Sequence, residues 1–132
     1  MKRYIVDTNL FIRYFTHDSE TLYLLARSYL KDAEAGKCEL ILTLEVILEI
    51  EYILRVRYKV AKAEVIGKIV SLLKSSFLMI EDKDILLYAF SLYEKYSIDL
   101  VDLVVLAKSK AYSCEVLTFD KQLKKLSTSI SS

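Results

Sequence analysis

Tyr4-Ile5-Val6-Asp7-Thr8-Asn9 is the stretch whose reading decides the fold. A short β-prone run ends at an acid and two polar residues, and apolar Leu10, Phe11, Tyr14 and Phe15 follow. That order predicts a buried strand, a polar turn and then a helix. The alternation repeats downstream. Ser19 or Thr21 starts a second helix that should stop near Gly36, a good residue just past a helix end. Leu40-Ile41-Leu42 is a second strand candidate, and Thr43 with Val46 opens an apolar helix to about Tyr58. Lys59 to Ala61 break the pattern, and Lys62 to Leu73 read as another helix. Phe77 to Ile80 is a third strand candidate, followed by helices over Asp82 to Tyr96 and Asp99 to Tyr112. Val116-Leu117-Thr118 reads as a fourth strand ending at Asp120. Lys121 to Leu126 is then a short helical turn, and residues 127–132 are a loose tail or a weak edge strand around Ile130. Short buried strands alternating with helices predict an α/β domain with a parallel sheet covered on both faces. No internal repeat or linker divides residues 1–132, so one domain is expected.

Composition narrows the function classes. With 54% apolar residues the chain can build a sizeable core, and disordered sequences lack that capacity. No Pro and only two Gly disfavour a turn-rich all-β domain. A net charge of +1 excludes a strongly basic nucleic-acid coat and leaves room for a local basic rim. Cys38 and Cys114 stand far apart without metal-ligand spacing, so each is expected as a buried free thiol in a reducing compartment. Asp7 interrupts the apolar stretch after Met1-Lys2-Arg3, so no signal-peptide core is read there. No stretch reaches the roughly 18 charge-free apolar residues of a membrane span. A soluble, cytoplasmic protein without membrane contact is the expectation.

The acids carry the chemistry. Asp7 falls where the carboxyl end of a parallel strand opens, the place where open α/β sheets bind ligands. It or Thr8 could equally cap the following helix, and Asn9 could be a turn residue. Glu49 has Val46, Tyr52 and Ile53 as helical neighbours, which places it on a face that wants burial. A buried carboxylate needs a cation. Glu45 carries the same charge and cannot help, whereas Glu51 has Arg55 four residues on. An external partner such as a metal ion, or a position at the rim, remains for Glu49. Asp99 and Asp102 open an apolar helix, as a cap and third-position acid or as site acids. Asp120 repeats the Asp7 situation, with Thr118 as a hydrogen-bonding support or an ordinary strand residue. If strand-end and helix-borne acids converge at one sheet edge, they form an oxygen-rich cluster suited to Mg²⁺ or Mn²⁺. Such a cluster without a cation would raise its own pKa values.

Four segments then resemble the PIN-domain family, and within it the VapC-type toxins: Tyr4 to Asn9, Val46 to Arg55, Asp99 to Ala107, and Val116 to Asp120. They stand in family order over nearly the whole chain. The resemblance implies a three-layer α/β/α fold with a short parallel central sheet flanked by helices. It implies Asp7, Glu49, Asp102 and Asp120 as metal-site acids, supported by Thr8, Asn9 and Thr118, with Asp99 close by. Asp102 is preferred to Asp99 because it directly precedes the apolar Leu-x-x-Leu-Ala stretch. The implied activity is endoribonuclease cleavage of RNA by metal-activated water with Mg²⁺ or Mn²⁺, in a homodimer inhibited by a small VapB-like antitoxin. Residues 127–132 are a poor copy of the family's last strand. RNA maturation, or a catalytically inactive PIN-like binding module, are the alternatives within the family.

Arg13, Lys121, Lys124 and Lys125 lie near the expected site edge and are candidate RNA-phosphate contacts, or else solvated helix surface. His17, the single histidine, is expected to face solvent. Tyr14, Phe15 and Tyr52 fall at core spacing and are expected to pack. Tyr23, Tyr29, Leu22 and Leu30 give the early helices apolar surface for an antitoxin helix or a second copy of the chain.

Overall fold

In the computed structural model, which describes residues 1–130, two compact units follow one another along the chain, Met1–Asp82 and then Lys83 onward. The first unit holds the sheet. Strands β1 (Lys2–Ile5), β2 (Cys38–Leu42) and β3 (Leu78–Ile80) lie parallel in the order β1-β2-β3. Lys2 is opposite Cys38 and Ile5 opposite Ile41, while Leu40 faces Leu78 and Leu42 faces Ile80. Parallel neighbours need crossover connections, and helices supply both of them. Helices α1 (Thr8–Thr16) and α2 (Glu20–Glu34) lead from β1 to β2. Helices α3 (Leu44–Tyr52) and α4 (Lys62–Leu73) lead from β2 to β3. This is the α/β class expected from the sequence, with the parallel sheet and helical connections of the three-layer α/β/α type.

Local chemistry sets the boundaries. Val6 N–H still donates to Ile41 carbonyl oxygen at 2.9 Å, so the ladder runs up to Asp7. Ser19 caps α2 through Leu22 N–H, and the chain leaves that helix through Gly36 at φ 76°, which a glycine adopts without steric cost. Leu40 and Leu42 of β2, with Ile47 and Ile50 of α3 and Ile69 and Leu73 of α4, are fully buried. The helix expected to continue to Tyr58 changes winding: Ile53–Arg57 is π-helical, with Tyr58 N–H donating to Ile53 carbonyl oxygen at 3.1 Å. Lys59 then takes a left-handed φ of 55° and ends it.

The second unit is helical. Helix α5 (Lys83–Lys95) buries Leu86, Ala89 and Phe90, and α6 (Leu100–Ala111) buries Leu103, Val104, Leu106 and Ala107. Helix α7 (Lys121–Ser129) buries Leu123 and Leu126. Two sequence expectations are corrected here. Val116–Thr118 forms no strand: this unit contains no strand among the described residues to pair with it, and Leu117 and Phe119 are 101% and 105% exposed. The short β-prone run that suggested a strand is present without a ladder. Residues 127–129, read as tail or edge strand, are the last turn of α7, and Ile130 caps it through an N–H bond to Leu126 carbonyl oxygen. Residues 131–132 lie outside the described residues.

Cys38 is buried as expected, whereas Cys114 is exposed because it stands beyond the end of α6. No helix among the described residues is long and apolar enough to cross a membrane.

Candidate functional site

Asp7 follows β1 and is the N-cap of α1. Its Oδ1 accepts the Thr8 N–H at 2.9 Å, and its carbonyl oxygen accepts Leu10 N–H at 3.3 Å. Thr8 is buried beneath it, while Asn9 is exposed on the first turn. The cap occupies one carboxylate oxygen, and Oδ2 has no hydrogen-bond partner among the described residues. Capping and site chemistry are therefore compatible at Asp7.

Glu49 corrects the burial argument made from the sequence. The buried stripe of α3 and its continuation is Ile47, Ile50, Glu51 and Leu54, at the three- and four-residue spacing of one helix face. Glu45, Glu49, Tyr52 and Val56 share the opposite, exposed stripe. The carboxylate that is buried is Glu51, 2% exposed, and Arg55 answers it as expected, with Nε at 2.6 Å and a second guanidinium nitrogen at 3.3 Å. Glu49 reaches solvent with no ion pair among the described residues. Tyr52, expected in the core, is 51% exposed.

In the second unit Asp99 occupies the N-cap position of α6, but its carboxylate makes no capping hydrogen bond. Asp102, one turn on, is half-buried, and its pKa is raised. Partial desolvation contributes most, followed by the negative charges of Asp99 and Asp120. Asp120 caps α7: its Oδ1 accepts Leu123 N–H at 2.8 Å, and its own N–H donates to Thr118 Oγ1 at 3.0 Å. Thr118 thus holds the turn that presents Asp120, despite the missing strand.

The donor chemistry of this acid trio suits a hard divalent cation, since Asp102 is pressed by two acids and no cation among the described residues relieves it. Among the described residues, no three His, Cys, Asp or Glu side chains are gathered into a group that could hold a metal ion. The acids fit such an ion by type and charge, not by a ready-made cage.

The remaining candidates divide. Arg13 is engaged by both oxygens of Asp18, at 3.0 and 3.1 Å, and its Nε is buried without a hydrogen-bond partner among the described residues. Lys121, Lys124 and Lys125 are exposed on α7. His17 faces solvent as expected, stacked on Tyr23 with ring centroids 3.6 Å apart and with Nε2 2.5 Å from Glu20. Of the early apolar residues, Leu30 is buried and Tyr23 and Tyr29 are half-buried in ring contacts, so the exposed apolar surface of α2 is Leu22, Leu24 and Leu25.

No curated relative matches this chain. The sequence model of the PIN domain matches residues 4–128, and that span takes in every acid described above. The parallel sheet with its helical connections is consistent with that match. The chain belongs to the PIN domain family.

Proposed function

We propose that this PIN domain is a divalent-metal-dependent endoribonuclease, the toxin of a toxin–antitoxin pair, acting in the cytoplasm. The observation that carries the reading is Asp102, half-buried and subject to the charges of Asp99 and Asp120 with no cation among the described residues to offset them. Stability alone gives no reason to keep that arrangement, whereas acids poised this way are common at functional sites. Asp7, Glu49, Asp102 and Asp120 would hold Mg²⁺ or Mn²⁺. When bound, the ion supplies a water made nucleophilic at neutral pH and stabilises charge on the phosphodiester. The chain's own part is positioning. Thr8 N–H fixes the Asp7 carboxylate, Thr118 and Leu123 N–H fix Asp120, and Glu49 stands unpaired. Lys121, Lys124 and Lys125 are the proposed phosphate contacts, and Asn9 and Asp99 supporting groups. Arg13, already paired with Asp18, is the weakest of the set.

An antitoxin helix, with homodimerisation, is the proposed use of Leu22, Leu24 and Leu25. Beside them a cavity of about 180 Å³ is lined by Leu10, Leu22, Leu25, Ala26 and Tyr29. The deciding experiment is cleavage of total tRNA, rRNA and mRNA with Mg²⁺ or Mn²⁺. Activity should vanish in EDTA and fall at least about a hundredfold in Glu49→Gln and Asp7→Asn, since losing even outer-shell support of a metal costs up to that much. Cleavage that survives both substitutions would remove the assignment.

A further inference from the structure

Six tyrosines lie in Met1–Asp82, and five of them are engaged. Tyr4 and Tyr29 meet edge to face, and Tyr14 and Tyr23 stack. Tyr58 donates its hydroxyl to Asp18 at 3.0 Å. Of these six, only Tyr52 has no ring contact or side-chain hydrogen bond among the described residues, and half of it is exposed. Leaving that much aromatic surface in water gains nothing for folding.

Its position is specific. Tyr52 lies three residues past Glu49, so the two share the exposed face of α3 one turn apart. Charge changes sign along that stretch, from Glu45 and Glu49 to Arg55, Arg57, Lys59 and Lys62. Arg57 ends the π-helical turn that follows α3, five residues past Tyr52, and Lys59 lies just beyond it. Arg57 and Lys59 are exposed and form no ion pair among the described residues.

Resting on the nuclease reading, we propose that Tyr52 is a stacking platform for a base of single-stranded RNA, with Arg57 and Lys59 taking phosphates of the same strand. An exposed flat ring followed within seven residues by two exposed cations matches an unpaired nucleotide, whose base offers a π-face and whose backbone offers negative charge. A duplex keeps its bases stacked internally and cannot use the ring. An apolar partner surface would not call for the cations.

The test is fluorescence anisotropy with a labelled short single-stranded RNA of mixed sequence, in EDTA so that nothing is cleaved. Tyr52→Ala should weaken binding about tenfold or more, and Tyr52→Phe should bind like the parent. A blunt RNA duplex should not distinguish them, and Tyr112→Ala, on α6's exposed end, should be neutral. Arg57→Ala should reduce the dependence of log affinity on log salt by about 0.7. Equal binding by Tyr52→Ala and parent, or equal loss in Tyr52→Phe, overturns the proposal. Glu49-dependent cleavage with binding indifferent to Tyr52 removes only this inference. Tyr52-dependent binding without metal-dependent cleavage removes the nuclease reading and keeps the RNA surface.

Discussion

Glu51 in the first unit and Asp102 in the second are both carboxylates drawn away from water, and their surroundings differ in kind. Glu51 lies deep in the packing of α3 and is met by Arg55 one turn on. Asp102 is shallower, yet its charged neighbours are Asp99 and Asp120, and its pKa is raised rather than lowered. The first arrangement is what a chain does with a charge it has to bury: it supplies the opposite charge locally. In the second, ionised Asp102 works against folding, and only an outside cation would reverse that. The contrast separates an acid that serves the fold from acids that, under the proposed function, would serve the chemistry.

The largest effect expected from this contrast is on the side of Glu51. Arg55→Leu should cost about 3 kcal/mol in urea unfolding, the lower end for breaking a buried pair. Glu51→Leu combined with Arg55→Leu should recover most of it. If the single variant were as stable as the parent, the pairing would not be structural and the comparison would fail.

Next comes Asp120, which caps α7 and is also a proposed metal-site acid. Asp120→Ala should cost about 1 kcal/mol by removing the α7 cap, whereas Asp120→Asn keeps a capping oxygen and should lose little stability. Both should lose cleavage. Thermal unfolding read beside the cleavage assay separates the two roles.

The smallest effect is on pH dependence, and its sign differs between the units. Asp18 is exposed and its pKa is lowered, first by Arg13 and then by Tyr58. Its contribution is present above the ordinary value of 3.8 and is lost as pH falls through the lowered one. Asp102 runs the other way: its charged form opposes folding, so metal-free protein should lose stability as pH rises from 3.8 through its raised pKa. Asp102→Asn should flatten that upper slope and Asp18→Asn the acid one, each followed by thermal midpoint against pH in EDTA. A stability profile unchanged by Asp102→Asn would mean that the crowding of the acids has no energetic consequence.

Much of the fold could be read directly from the chain. Strands β2 and β3 stand as short apolar runs between polar breaks, and Ser19 and Gly36 mark the ends of α2 by their own conformational preferences; β1 is the exception, since it runs over Lys2–Ile5 and leaves Ile5 73% exposed where a buried strand was expected. What escaped was decided by packing. Helix α3 is apolar around most of its circumference, so spacing alone could not say whether Glu49 or Glu51 would turn inward. Arg55, one turn after Glu51, was the available signal, and following it would have put Tyr52 outside. The π-helical turn at Ile53–Arg57 differs from an α-turn by a single hydrogen-bond register, which no composition marks. Val116–Thr118 has the residues of a strand, but a ladder needs a neighbour, and its own unit has none among the described residues. The types and order of the candidate acids were legible, while their surroundings required coordinates.

The exposed thiol of Cys114 bears on how any self-association of this chain is judged. Thiolate at an accessible position is open to air oxidation, and two such groups from separate molecules can join covalently. A species of doubled mass seen after purification without reductant would then report storage chemistry, not recognition between copies. Sizing of the protein should therefore be done in excess dithiothreitol, or on a Cys114→Ser variant, where only a noncovalent pair survives.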